Sequence, residues 1–92
     1  MKRTPRNLRY HELIGLRVRV LRHLDPGLSG LEGRVVWETE RALVVEAPER
    51  GRLLILKSGA LLAFHIPGWG SVVVPGDELL GTPVDRVKRL RR

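Results

Sequence analysis

The chain has 92 residues, a net charge of +7, 42% hydrophobic residues and no cysteine. This length suits one domain, whose core buries roughly 60 to 65% of the surface that the unfolded chain exposes. The lack of cysteine excludes disulfides and thiolate metal sites, and no apolar run reaches the roughly 18 residues of a membrane-spanning helix, so we expect a cytoplasmic protein.

The first segment, residues 1–15, is predicted to be a basic N-terminal arm. Its first twelve residues carry four basic side chains against one acidic side chain, a net charge of +3. Asn7 is a suitable capping residue for a short helix over Leu8 to Ile14.

Residues 16–81 are predicted to form a β domain with little net charge. Apolar and cationic residues alternate from Leu16 to Arg22, so Arg17 and Arg19 should point outward from a half-buried strand. By the same alternation, Val35 and Trp37 should share one face, and the ring of His65 should point outward. Short polar or Gly/Pro turns separate the predicted strands, which cover Leu16–Arg22, Gly33–Glu38, Ala42–Glu46, Leu53–Lys57, Leu61–Ile66 and Ser71–Val74. Six strands at intervals of about 8 to 12 residues favour a small closed barrel over an open sheet.

The last segment, residues 82–92, is predicted to be a basic C-terminal helix or tail. Thr82 followed by Pro83 is typical of a helix start. Five basic residues against one acidic residue give this segment a charge of +4. The two ends therefore hold all of the net charge, which indicates a polyanionic partner, RNA or DNA, ahead of a membrane surface.

Several short motifs, in this order and spacing, resemble protein component 1 of archaeal ribonuclease P, which is related to a eukaryotic subunit of the same ribonucleoprotein. The motifs are Glu12-Leu13-Ile14-Gly15-Leu16-x-Val18-x-Val20, Gly30-x-x-Gly33-x-Val35-Val36-x-Glu38-Thr39, Leu43-x-Val45, Phe64-x-Ile66-Pro67 and Leu80-Gly81-x-Pro83-x-Asp85-Arg86. The resemblance implies an all-β, six-stranded antiparallel Sm-like barrel with short helical arms. It also implies a non-catalytic subunit that binds ribonuclease P RNA, the catalyst that removes 5′ leaders from precursor tRNA. A second small, zinc-binding protein subunit is implied as its heterodimer partner.

The residues themselves indicate no active site, metal site or cofactor. His11, His23 and His65 are far apart in the sequence, and no cysteine accompanies them. Glu38 and Glu40 are interpreted as solvated charges of a hairpin. Any enzymatic activity is thus expected to belong to the ribonucleoprotein, an endoribonuclease.

Two sets of residues are predicted to contact the partners. The RNA set consists of basic residues for phosphate contacts and one tryptophan for base stacking: Arg3, Arg6, Arg9, Arg17, Arg19, Arg22, Arg34, Arg86, Lys88, Arg89 and Trp69. The protein set combines the amphipathic N-terminal helix with a strand edge: Leu8, Leu13, Val36 and Trp37.

Three alternatives remain open at the level of sequence. The arginines of the β domain can instead be solvated side chains paired with glutamates. A ribosomal protein or an Sm-type ring subunit would share a small basic β-barrel, and a membrane-surface adaptor could also use cationic arms, although neither arm presents bulky aromatic residues for insertion.

Overall fold

The computed structural model describes residues 13–82, and its regular structure is dominated by six β-strands. The strands are Arg17–Arg22 (β1), Glu32–Glu38 (β2), Ala42–Ala47 (β3), Gly51–Leu56 (β4), Leu61–Ile66 (β5) and Gly70–Pro75 (β6). Each strand begins and ends within two residues of its predicted bounds. The predicted all-β class with six strands is confirmed.

All six strands belong to one antiparallel sheet with the order β4-β3-β2-β1-β5-β6. The first four strands follow one another as a meander, and β5 then pairs with the free side of β1. Hydrogen bonding leaves β4 and β6 as edge strands, so the described sheet is open and the predicted closed barrel is not confirmed.

The two edges of the sheet nevertheless approach each other at one end. Lys57 directly follows β4, Gly76 directly follows β6, and a methyl group built on Gly76 would overlap the carbonyl oxygen of Lys57. The amide of Gly76 donates to the carbonyl oxygen of Ala60 at 2.8 Å, which continues the pairing of β5 with β6. Buried side chains from all six strands form a single core cluster, in which Phe64 and Ile55 are fully buried. The sheet therefore curls around one shared core.

Helical arms are not supported. Helical structure in the described residues is limited to two 3-10 turns, Pro26–Leu28 and Gly76–Leu79. The predicted helix over Leu8 to Ile14 lies outside the described residues except at its end, where Leu13 has no regular structure and Ile14 is in a turn. The predicted C-terminal helix, beginning at Pro83, lies outside them entirely.

A β-bulge in β2 overturns the prediction that Val35 and Trp37 share a face. Val35 pairs with Val45, but Trp37 pairs with Val44, so two residues of β2 oppose one residue of β3 at this point. An extra residue of this kind reverses the side-chain alternation beyond it. Val35 is therefore fully buried, Trp37 is 61% exposed, and the next residue, Glu38, is turned inward.

Candidate nucleic-acid interface

A row of exposed side chains crosses the outer face of the sheet, one from each strand. The strand registers place them side by side in the order Arg52, Glu46, Arg34, Arg17, His65 and Ser71. All six side chains are exposed. Because neighbouring strands are about 4.8 Å apart, adjacent members of this cross-strand row are within reach of one ligand.

Positive charge is concentrated at the centre of the cross-strand row. Arg52 is neutralised by Glu46, with its Nε 3.2 Å from the carboxylate. Arg34 donates from Nη1 to the carbonyl oxygen of Gly15 at 2.7 Å, a contact that orients the guanidinium without cancelling its charge. Arg17, directly opposite Arg34, has no ion pair within residues 13–82. Like charges directly opposite each other destabilise a sheet. Arg17 and Arg34 thus place two positive charges next to each other, and neither has an ion pair within residues 13–82.

A second row lies on the same face and is less polar than the first. Each of its members is two residues along its own strand from a member of the cross-strand row. It contains Glu32, Arg19, Ala63 and Val73, in that order across β2, β1, β5 and β6. Arg19 and Glu32 form an exposed ion pair with an N–O distance of 3.5 Å. Val73 is 55% exposed, and a shallow groove lies over it, between Arg17 and His65 on one side and Arg19 on the other.

A separate apolar row lies on β2, β3 and β4. The registers align Trp37 with Val44 and Val44 with Leu54. Trp37 and Leu54 are 61% and 60% exposed. Val36, predicted together with Trp37 as a partner contact, is half-buried in the bulge.

Lys57 joins the β2–β3 turn to the segment that follows β6. Its side chain is fully buried, and its Nζ donates to Glu38 Oε2 at 2.7 Å, to the carbonyl oxygen of Thr39 at 2.8 Å and to that of Gly81 at 3.0 Å. The amide of Gly81 in turn donates to the carbonyl oxygen of Glu40 at 2.8 Å. Glu38 is therefore half of a buried ion pair, so its interpretation as a solvated hairpin charge is wrong.

The remaining predicted site residues fall in different places. Leu13 is fully buried in the core, so its predicted role as a partner contact is wrong and it is a packing residue. Arg22 is exposed at the end of β1, and Trp69 is 61% exposed in the β5–β6 turn. The residues of the two arms lie outside the described residues; they are Arg3, Arg6, Leu8, Arg9, Arg86, Lys88 and Arg89.

Sequence reasoning missed the groove residues and the buried cation. The alternation Phe64-His65-Ile66 indicated that His65 points outward, but it did not reveal that His65 is adjacent to Arg17, because that depends on which strands pair. Ser71 and Val73 had no signal beyond their place on a strand. Lys57 ends a predicted strand, where a lysine is ordinarily exposed.

The described residues contain no cluster of three metal-ligating side chains. No helix within residues 13–82 has both the length and the apolar character needed to cross a membrane.

Fold and surface together define a small, single-sheet β protein whose outer face carries two adjacent arginines. The sequence model described as Ribonuclease P/MRP, subunit p29 matches residues 6–89. A relative from Hyperthermus butylicus named Ribonuclease P protein component 1 is 52% identical over 100% of this chain and 83% of its own length. Another protein of that name, from Desulfurococcus amylolyticus, is 46% identical over the full length of both chains.

A solved structure agrees with these sequence relationships. It is described as that of Mth11, a homologue of the human RNase P protein Rpp29, and it matches with a TM-score of 0.61 and 36% identity, covering 83% of this chain and 97% of that one. The chain belongs to the ribonuclease P protein component 1 family, whose wider family is that of the p29 subunit of ribonuclease P/MRP.

Proposed function

We propose that this chain is a non-catalytic, RNA-binding protein subunit of ribonuclease P, which assists the catalytic RNA in removing 5′ leaders from precursor tRNA. The observation that carries the proposal is the Arg17–Arg34 pair. Two cations held side by side on a rigid sheet suit phosphate oxygens, which arginine binds through paired N–H donors. Membership in the family supplies the identity of the RNA.

The arms and the sheet would make different contributions to RNA binding. Residues 13–82 have eight basic and eight acidic side chains, so the net charge of +7 comes from the arms. Charge at the arms accelerates encounter with a polyanion. Contacts from Arg17, Arg19, Arg22 and Arg34 would then fix the orientation of the RNA, since the strands hold these side chains in place.

We also propose that the fold is an Sm-like barrel. Two observations support this: the edge strands β4 and β6 approach each other at Lys57 and Gly76, and all six strands share one core cluster. A single curled sheet with one interior is the arrangement from which small barrels are built.

The apolar row is our candidate for the surface that binds a protein subunit. The partner implied by the family resemblance is a second small, zinc-binding subunit, bound as a heterodimer. Trp37 and Leu54 are large apolar side chains exposed on one face, and buried aromatic anchors contribute most to protein interfaces. This surface is on β3, β4 and the end of β2, whereas the groove beside Arg17 extends from the start of β2 over β1, β5 and β6.

Salt-dependent binding to ribonuclease P RNA tests the proposed RNA contacts. Replacing both Arg17 and Arg34 with alanine should weaken binding and lower the slope of log affinity against log salt by about one unit for each phosphate that the protein no longer neutralises. Arg52→Ala is the matched control, because Arg52 belongs to the same cross-strand row but is paired with Glu46. Circular dichroism verifies that the variants fold. A double variant with the affinity and slope of the Arg52→Ala control would contradict the proposal.

A further inference from the structure

The groove on β1, β5 and β6 combines an apolar floor with polar walls. Ala63 and Val73 are register partners on β5 and β6 and form the floor. Leu21 lines one end of the groove and is 40% exposed. Val73 and Leu21 thus contribute exposed apolar surface to the same groove, where it is in contact with water.

Polar groups surround this floor on two sides. His65 and Ser71 are register partners, and each lies two residues from a floor residue on its own strand, so all four side chains share the outer face. On the neighbouring strand β1, Arg17 is directly opposite His65, and Arg19 is directly opposite Ala63. An imidazole ring, a hydroxyl group and the guanidinium group of Arg17 thus border one apolar floor, while Arg19 is paired with Glu32, which also lines the groove.

We propose that this groove binds an unpaired nucleotide of RNA, with the base against His65 and Val73 and the adjacent phosphate on Arg17. A nucleobase has an apolar face and polar edges, which match the floor and the hydroxyl group of Ser71. Histidine rings are among the side chains on which unpaired bases stack, and open sheet faces support bases in other RNA-binding domains. The proposal rests on the proposed function, and it names the RNA element that this face recognises.

Base-paired RNA does not fit the groove in this way. In a duplex the faces of the bases are stacked on one another, and the protein meets phosphates, 2′-hydroxyls and base edges. A duplex would engage Arg17 and Arg34 and leave the floor of Ala63 and Val73 without a role. Loops, bulges and single-stranded joints expose the base face that the floor can cover.

The inference is tested by comparing the protein's affinity for short single-stranded RNAs, oligouridylate and oligoadenylate, with its affinity for a blunt RNA duplex of the same strand length. Binding is measured by fluorescence anisotropy with the full chain. Because stacking of one base contributes roughly 1 to 3 kcal/mol, we expect His65→Ala and Val73→Ser to weaken single-strand binding about tenfold or more and to leave duplex binding unchanged. His65→Phe retains an aromatic face and should bind single strands as the wild type does.

Leu56→Ser is the matched control for Val73→Ser. Leu56 is on the other edge strand and has a similar exposed fraction, 52% against 55%. It should leave binding to both RNAs unchanged. Methyl chemical shifts of Val73 that respond to the single strands and not to the duplex would support the site directly.

The inference and the proposed function fail in distinguishable ways. If wild-type protein binds ribonuclease P RNA through Arg17 and Arg34, but His65→Ala and Val73→Ser bind single strands like the wild type, the groove is not a nucleotide site and the proposed function stands. Equal loss of duplex and single-strand binding in these variants would also overturn the inference, since it indicates an effect on folding or on charge. If wild-type protein does not bind ribonuclease P RNA, both proposals fail.

Discussion

Replacing Lys57 with methionine should destabilise this protein more than any exposed charge substitution. The change removes Lys57 from the buried carboxylate of Glu38 and removes hydrogen bonds to the carbonyl oxygens of Thr39 and Gly81, which are 2.8 and 3.0 Å from Nζ. Removing one partner of a buried ion pair costs about 3 to 5 kcal/mol, and a buried carbonyl group left unsatisfied costs roughly 1 to 3 kcal/mol. These terms overlap, so we expect the free energy of unfolding to fall by about 4 kcal/mol.

Denaturant unfolding followed by far-ultraviolet circular dichroism measures this loss. The midpoint concentration should fall while the slope with denaturant stays constant, and the melting temperature should drop by roughly 15 to 30 °C. Arg52→Met is the matched control, a cation-to-methionine change in an exposed ion pair, for which we expect a loss of about 0.2 to 1 kcal/mol. The double variant Lys57→Met/Glu38→Leu should recover part of the loss, because it also removes the buried carboxylate that Lys57 contacted. A Lys57→Met variant no less stable than Arg52→Met would refute the reasoning.

Three further predictions follow from the surfaces, the turns and the arms. Trp37→Ala should weaken binding of the second protein subunit by about 2 kcal/mol and leave RNA affinity unchanged. Calorimetry with each partner measures both affinities. Unchanged binding of the protein subunit would show that the apolar row is not part of the interface. Gly76→Ala should lower the free energy of unfolding by about 1 to 3 kcal/mol, because the added methyl group would overlap the carbonyl oxygen of Lys57. Gly27→Ala is the control and should change the free energy of unfolding by no more than about 0.5 kcal/mol. Equal melting temperatures for the two variants would contradict the close approach of the sheet edges. Deleting residues 1–6 and 88–92 should leave the sheet folded and flatten the salt dependence of RNA binding, and an unchanged slope would show that the arms make no phosphate contacts.

The strands were predictable because local pattern determines them. Alternation of apolar and charged residues in Leu16 to Arg22 requires one buried face, and Gly/Pro turns such as Pro67-Gly68 separate the strands. The outward positions of Arg17 and Arg19 followed from the same period. The prediction of a cationic face therefore needed no knowledge of tertiary structure.

Three features of the site were not predictable from local pattern. The bulge at Trp37 reverses the alternation, and its position depends on the register with β3. Lys57 is buried only because Glu38 and the carbonyl oxygens of distant segments converge on its amino group, an arrangement with no local signature. Leu13 was assigned to a helix face, but its side chain packs into the core instead. In each case a contact between residues distant in sequence overrides the local preference.

The central claim is that this protein binds the RNA of ribonuclease P, and the RNA that copurifies with it tests that claim most directly. The full chain, carrying an affinity tag, is purified gently from cells of the organism that encodes it, and the bound RNA is sequenced. The account predicts strong enrichment of ribonuclease P RNA over total RNA, which is reduced when Arg17 and Arg34 are both replaced by alanine. Enrichment of ribosomal RNA alone, or of no RNA above the level found with an unrelated basic protein, would contradict it.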